Sequence, residues 1–396
     1  MKKLVLAYSG GLDTSYCLKT LFQEGYEVHA VSVNTGGFTP KEIEEQESKA
    51  MHMGAASYQS IAALESFYQK IVKYLVFGNV LKNNSYPLSV SAERIVQAME
   101  IIEYAKKIDA KFIAHGSTGA GNDQVRFDLI FQVLAPTIKI ITPIRDQQLS
   151  REDEIKYLKS QGIELSWEKA QYSINQGLWG TSVGGSETLT SRNALPDEAY
   201  PSSLSETKSA KISLKFEAGE LIELNGKKSD AVTLIQELQD LAKTYAIGRD
   251  IHVGDTIIGI KGRVGFEAAA PLIIIKAHHL LEKHTLSKWQ QFQKEQLGSF
   301  YGMQLHEGNY LDPVMRDIEL FLQNSQEKVN GEVFITLHPY RFELEGIESP
   351  NDLMNASFGS YGEMNKEWTA EDAKGFIKIT ANAHTIYRNV NKEETK

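Results

Sequence analysis

A doubly wound parallel α/β domain followed by an α+β domain is the fold class this sequence predicts, on three observations. Through about residue 165, short apolar runs alternate with helix-compatible stretches, as in a parallel sheet covered on both faces. The first run, Leu4-Val5-Leu6-Ala7, enters a helical stretch through the glycine turn around Gly10 and Gly11. That geometry points backbone N–H groups and a positive dipole end at an anion. Past residue 211 the alternation gives way to paired strands and longer helices.

In the first domain the apolar runs place strands over 4–8, 28–33, 111–114 and 139–142. Helices are expected over 14–24, 41–53, 64–77, 91–108 and 151–161. Ligands bind beyond the carboxyl ends of such strands. The loop Asn34-Thr35-Gly36-Gly37 is therefore expected to face the site near Gly10, with the loop after Ala114 close by. Residues 182–211 are rich in Ser, Thr, Gly and Pro and lack any period, a long loop of the kind that is usually functional or mobile. Beyond it, 212–217 and 221–224 read as strands paired across Ala218-Gly219, and 231–245 as an amphipathic helix. Strands are expected at 256–260 and 272–275, and helices over 277–296 and 312–322. Residues 332–337 with 341–345 suggest a closing hairpin, and the charged tail 391–396 is expected to fray.

Length and charge narrow the function. At 396 residues the chain exceeds one ordinary core, so two domains are expected. A net charge of −9 with no Lys/Arg-rich run speaks against a nucleic-acid face. The lone Cys17 excludes an intrachain disulfide and any Cys-x-x-Cys motif, and is read as a packed side chain. Met1-Lys2-Lys3 leads straight into the first strand and no apolar run approaches ~18 residues. No membrane partner is expected, and a cytoplasmic location is.

Residues Ala7, Tyr8, Ser9, Gly10, Gly11, Leu12, Asp13, Thr14 and Ser15 carry the first chemistry. Gly10 and Gly11 allow the backbone to approach a phosphate with no Cβ in the way. Ser9, Thr14 and Ser15 add hydroxyl donors, and the Asp13 carboxylate makes sense if Mg²⁺ accompanies the phosphates. No Gly-Lys-Ser/Thr follows, so this is not a Walker loop, nor is it the dinucleotide fingerprint. It resembles the Ser-Gly-Gly-x-Asp-Ser/Thr loop of the ATP pyrophosphatases.

A second constellation reads His115-Gly116-Ser117-Thr118-Gly119-Ala120-Gly121-Asn122-Asp123-Gln124-Val125-Arg126-Phe127-Asp128. Its glycines form a donor-rich loop, Asn122 or Asp123 is placed to cap the following helix, and Arg126 offers a planar fork for a carboxylate. Together the two motifs resemble argininosuccinate synthase. Tyr172-Ser173-Ile174, Leu178-Trp179-Gly180, Lys261-x-Arg263, Ala277-His278, Glu348-Ser349-Pro350 and the segment 372–377 extend the likeness over essentially the whole chain.

The resemblance implies an adenine nucleotide alpha hydrolase-like ATP domain (1–165), a synthetase domain (166–355) and an oligomerisation segment (356–396) of a homotetramer. It implies that the citrulline ureido oxygen attacks MgATP to give citrullyl-AMP and pyrophosphate, and that the aspartate amine then displaces AMP. By this likeness Ala7 to Ser15, Val33 and Gly116 bind ATP, and Thr118, Asn122 and Asp123 bind aspartate. Tyr86, Ser91, Asn122, Arg126, Ser173, Ser182, Gly254 and Phe266 match the citrulline positions.

The sequence also departs from that pattern. Ala120 stands where the family has a lysine, and Asn175 and Gln176 fall in a stretch that usually carries an acid. Gly254 and Phe266 stand where a glutamate and a tyrosine close the citrulline pocket. Asp255 is one residue away, but such a shift points it to the other face of a strand. An Nα-acylated citrulline is therefore an alternative substrate. Rivals of another class are a tRNA-modifying ATP pyrophosphatase and a binding protein without turnover. His278, His279 and His284 miss the i, i+4 spacing of paired metal ligands. Trp167, Trp179, Trp289 and Trp368 are too scattered for a base-stacking platform.

Overall fold

The computed structural model describes residues 2–163, 172–355, 359, 361–363 and 366–391. The expected boundary at 165/166, Trp167 and the tail beyond Asn391 lie outside them. The first layer runs β1 (Lys2–Ala7), α1 (Leu12–Gln23), β2 (Tyr26–Asn34), α2 (Pro40–His52) and β3 (Ser57–Ala62). It continues with α3 (Leu64–Phe67), a π-helical turn, α4 (Lys73–Phe77), α5 (Glu93–Lys107), β4 (Phe112–Ala114), α6 (Asp123–Leu134), β5 (Lys139–Ile141), α7 (Pro143–Gln147) and α8 (Arg151–Ser160). The sheet order is β3-β2-β1-β4-β5, and each of its pairings is parallel.

Alternation along the strands explains the double cover. Val5, Val31 and Ile113 enter one core, whereas Leu4, Leu6, Val28 and Ala30 enter another with Cys17, Leu18 and Leu158. Strands buried on both faces read as continuous apolar runs, which made β1 and β2 legible. The edge strand β3, Ser-Tyr-Gln-Ser-Ile-Ala, is only partly buried and has no such run, so it escaped detection.

Two further sheets follow. Strands β6 (Ser173–Gly177) and β7 (Gly180–Gly184) precede β8 (Ala210–Glu217), β9 (Glu220–Leu224), the short β10 (Lys227–Lys228) and α9 (Ala231–Lys243). Next come β11 (Arg249–Asp255), β12 (Lys261–Glu267), α10 (Ala269–Thr285), α11 (Lys288–His306), α12 (Pro313–Ser325), β13 (Gly331–His338) and β14 (Arg341–Glu348). One sheet is β10-β9-β8-β13-β14 and the other β11-β12-β7-β6.

Three expectations are corrected here. Residues 256–260 form the turn between β11 and β12, closed by Thr256 N–H donating to Ile260 O at 2.8 Å with Gly259 at φ +84°. Residues 272–275 lie in α10, where Ile273, Ile274 and Ile275 are all buried. A short β-branched run does not by itself distinguish a strand from a fully buried helix. The helix expected over 277–296 breaks at Leu286, which is extended, and Ser287 caps α11 through a reciprocal pair with Gln290.

His278 is fully buried, its ring nitrogens 2.8 Å from Asn79 Oδ1 and 2.8 Å from Gln326 Oε1. Its role is internal packing. Residues Asp352–Lys396 form a separate compact unit containing α13 (Ala370–Asn391). Phe376, Ile377, Ile379, Ile386, Tyr387 and Val390 of that helix are exposed.

Candidate active site

Strand β1 ends at Ala7, and Tyr8 N–H still reaches Val31 O at 2.8 Å. Gly10 then turns with φ +74°, in the left-handed region that favours glycine. Helix α1 begins without a side-chain cap, leaving its positive end available to an anion. Ser9 Oγ and Thr14 Oγ1 lie 3.2 Å apart at this opening, while Leu12 and Ser15 point into the core. The β4 loop closes on the same point. A Cβ on Gly116 would sit 3.1 Å from the Asp13 carbonyl carbon and 3.2 Å from Thr14 N. Glycine is thus what allows the two motifs to meet. Val33, near the end of β2, is buried.

The loop Asn34–Gly37 packs closely against the β6–β7 hairpin. A Cβ on Gly36 would lie 2.9 Å from Leu178 N, and one on Gly37 would overlap the Gln176 carbonyl. Leu178 N–H donates to Thr35 O at 2.8 Å. Glycine at 36 and 37 allows the hairpin this close approach.

Sequence reasoning missed Glu154, a buried carboxyl on α8 that hydrogen-bonds with the Asp13 side chain. Burial, then the Asp13 charge and hydrogen bond, push Glu154 up to about 8, and burial also raises Asp13. The folded protein therefore holds a proton here that the unfolded chain releases near pH 4.5. The stability that Glu154 contributes is full below about pH 4.5 and is lost as pH rises through about 8. Glu154→Gln is expected to flatten the fall of Tm between pH 5 and 8; an unchanged slope would assign that pH dependence elsewhere.

Helix α6 carries the second constellation. Asn122 does not cap it: its Oδ1 accepts from Ile257 N–H at 2.9 Å, tying the helix start to the β11–β12 turn. Asp123 accepts from Arg94 Nε at 3.0 Å and from Arg126 Nη1 at 2.8 Å. Burial would raise its pKa, but Arg94 and Arg126 hold it below the usual carboxylate range. Arg126 is 3% exposed, donates from Nε to His306 O at 2.9 Å, and has no partner for Nη2 among the described residues. Thr118 lies exposed on the loop before the helix.

The register of the β11-β12-β7-β6 sheet places the second-domain candidates together. Ser182 pairs with Asn175 on one side and Phe266 on the other. Directly paired residues share a face, so Ser173, Ser182, Phe266, His252 and Gly254 all project from one side. That side meets Tyr86, whose ring stacks on His252 (centroids 4.9 Å apart) and packs against Phe266 at 5.3 Å. Tyr86 and Ser91 are both buried, and Ser91 Oγ donates to Leu88 O at 3.4 Å.

Family models match residues 3–164 as the Arginosuccinate synthase N-terminal HUP domain and 172–387 as the Arginosuccinate synthase C-terminal domain. The chain belongs to the argininosuccinate synthase family. The protein named argininosuccinate synthase of Xanthomonas campestris pv. campestris is 36% identical over 400 residues, covering 99% of both chains. The one from Methanocaldococcus jannaschii is 35% identical over 378 residues, 94% of this chain and 95% of that one. That of Sulfolobus acidocaldarius is 34% identical over 380 residues, 95% and 96% of the two chains. As a member of this family the protein is an enzyme, a ligase that uses ATP.

Two departures from the argininosuccinate synthase pattern gain a physical setting. Ala120 is exposed and cationless, but Arg145 of α7 lies beside its loop, with Cγ 3.7 Å from the Cβ position of Gly119. Arg145 Nη1 donates to Asp128 Oδ2 at 2.7 Å, and Asp128 Oδ1 lies 2.8 Å from His115 Nε2. Because Ser117 N–H donates to His115 Nδ1, His115 must donate from Nε2. At the other departure, a Cβ on Gly254 would sit 2.7 Å from His252 Nε2. The His252 ring occupies the space of a side chain at 254. Asp255 does not replace the missing acid, since it is exposed and paired with Lys261 at 2.6 Å.

Proposed function

We propose that the protein joins citrulline to aspartate at the expense of ATP, forming argininosuccinate, AMP and pyrophosphate through citrullyl-AMP. The observation that carries this reading is the contact of Gly116 with Asp13 and Thr14. It brings the phosphate-type loop and the helix bearing Asp123 and Arg126 to one place. Family membership favours this chemistry over the tRNA-modifying and inactive readings.

The uncapped start of α1, the Gly10 turn and the Ser9 and Thr14 hydroxyls fit a triphosphate. Mg²⁺ arriving with ATP would neutralise the departing pyrophosphate, and Asp13 is the carboxylate that would meet it. Arg126 holds the citrulline carboxylate through its free nitrogen, with Tyr86, Ser91, Ser173 and Ser182 around the rest of the molecule. Asp123, kept ionised by two guanidinium groups, meets the aspartate ammonium, with Asn122 and Thr118 beside it. No covalent nucleophile is required, so positioning supplies much of the rate.

The same chemistry on an Nα-acylated citrulline is a second reading, favoured by the His252 ring over Gly254. Domains at 1–165, 166–355 and 356–396, a cytoplasmic location and a homotetramer complete the proposal. The exposed apolar residues of α13 support subunit packing, and no helix among the described residues is long and apolar enough to cross a membrane. Citrulline labelled with ¹⁸O in the ureido group tests the intermediate. Pyrophosphate release with the label recovered in AMP is expected; unlabelled AMP would exclude citrullyl-AMP.

A further inference from the structure

Lys82, Arg126, His252 and His306 come from four segments and act on one another in one corner. Arg126 Nε holds the His306 carbonyl at 2.9 Å, and the His252 ring stacks on Tyr86. Lys82 acts electrostatically on both imidazoles and on Arg126. Three of these residues keep a buried nitrogen without a partner among the described residues: Arg126 Nη2, His252 Nδ1 and His306 Nδ1. The Lys82 ammonium makes no hydrogen bond or ion pair with another described residue.

Nearby acids are committed elsewhere or lie at the margin. Asp123 is shared by Arg94 and Arg126, Asp255 by Lys261, and Asp250 accepts from Ile251 N–H at 2.7 Å. Glu307 acts on Lys82 electrostatically only. Burial first, then Arg126 and Lys82, depress His306 to about 3, and two cations already face this imidazole. An incoming ammonium would meet that same repulsion, whereas an anion would find donors already desolvated and unpaired.

Resting on the ligase reading above, we propose that this corner receives an acyl group on the citrulline α-amine, one that ends in a second carboxylate. The amide removes the ammonium charge, the α-carboxylate lies on Arg126, and the distal carboxylate reaches Lys82 and His252. The Tyr86 and Phe266 rings flank the short methylene chain. The acyl group is a spectator: no bond to it forms or breaks, and the product is an acylated argininosuccinate.

Citrulline, Nα-acetylcitrulline and Nα-succinylcitrulline, each with MgATP and aspartate, are the probes, and pyrophosphate release is the readout. The succinyl form is expected to exceed citrulline in kcat/KM by about tenfold or more. Lys82→Met should cost the succinyl form about tenfold more than it costs citrulline, and Lys82→Arg should restore the difference. Comparison between substrates on one variant removes any effect of folding. A preference for free citrulline, equal use of the acetyl and succinyl forms, or an equal loss on all three in Lys82→Met overturns the proposal while the ligase reading stands. No pyrophosphate from any of the three overturns both.

Discussion

Asp13→Asn is expected to lower pyrophosphate release by about 10²-fold or more in a protein that still folds, because it removes a fixed charge from the phosphate site. Asp13 lies in the first turn of α1, against Gly116 and in hydrogen-bond contact with Glu154. Asparagine keeps the shape and the helix, so no cavity opens. The change also removes the neighbouring carboxylate whose charge helps to raise Glu154. Thermal stability at pH 7 should therefore hold or rise while turnover falls. That opposition separates loss of chemistry from loss of fold. Measured pyrophosphate release within about tenfold of the unchanged enzyme would remove Asp13 from the Mg²⁺-phosphate role.

What the sequence disclosed depended on whether a feature was local. The turn at Gly10 and Gly11 is legible because strand, glycine and helix occur in one short run. Asp123 and Arg126 are legible for the same reason, being one helical turn apart. Glu154 is invisible to such reasoning, since only the packing of α8 on α1 brings it to Asp13. Lys82, His252 and His306 are equally remote in sequence and meet only where residues of the first and second domains fold together. Composition misled in both directions. Strands β6 and β7 are too polar to announce themselves, whereas Leu272 to Ile275 look like a strand and sit in a buried helix. The Asn122 cap failed because a tertiary partner, Ile257 N–H, claimed the oxygen that local geometry would have used.

Arg126→Ala is expected to raise the KM for the citrulline-type substrate far more than that for ATP or aspartate. A charge-assisted carboxylate contact contributes roughly 1.5–3 kcal/mol, or about ten- to 150-fold in kcat/KM. The side chain is buried, so its structural contacts need separate control. Asp123 retains Arg94 when Arg126 is lost, which keeps that carboxylate ionised and paired. The His306 carbonyl loses its donor, a cost that should appear in Tm and fall equally on all substrates. Arg126→Lys tests the fork itself, because it keeps the charge but not the planar pair of donors. Nε and Nη1 are already committed to His306 and Asp123 and only Nη2 is left for the substrate, so lysine, with one nitrogen, is expected to leave the KM for the citrulline-type substrate raised. Equal shifts for ATP, aspartate and citrulline in Arg126→Ala would instead make Arg126 a brace between α6 and the end of α11.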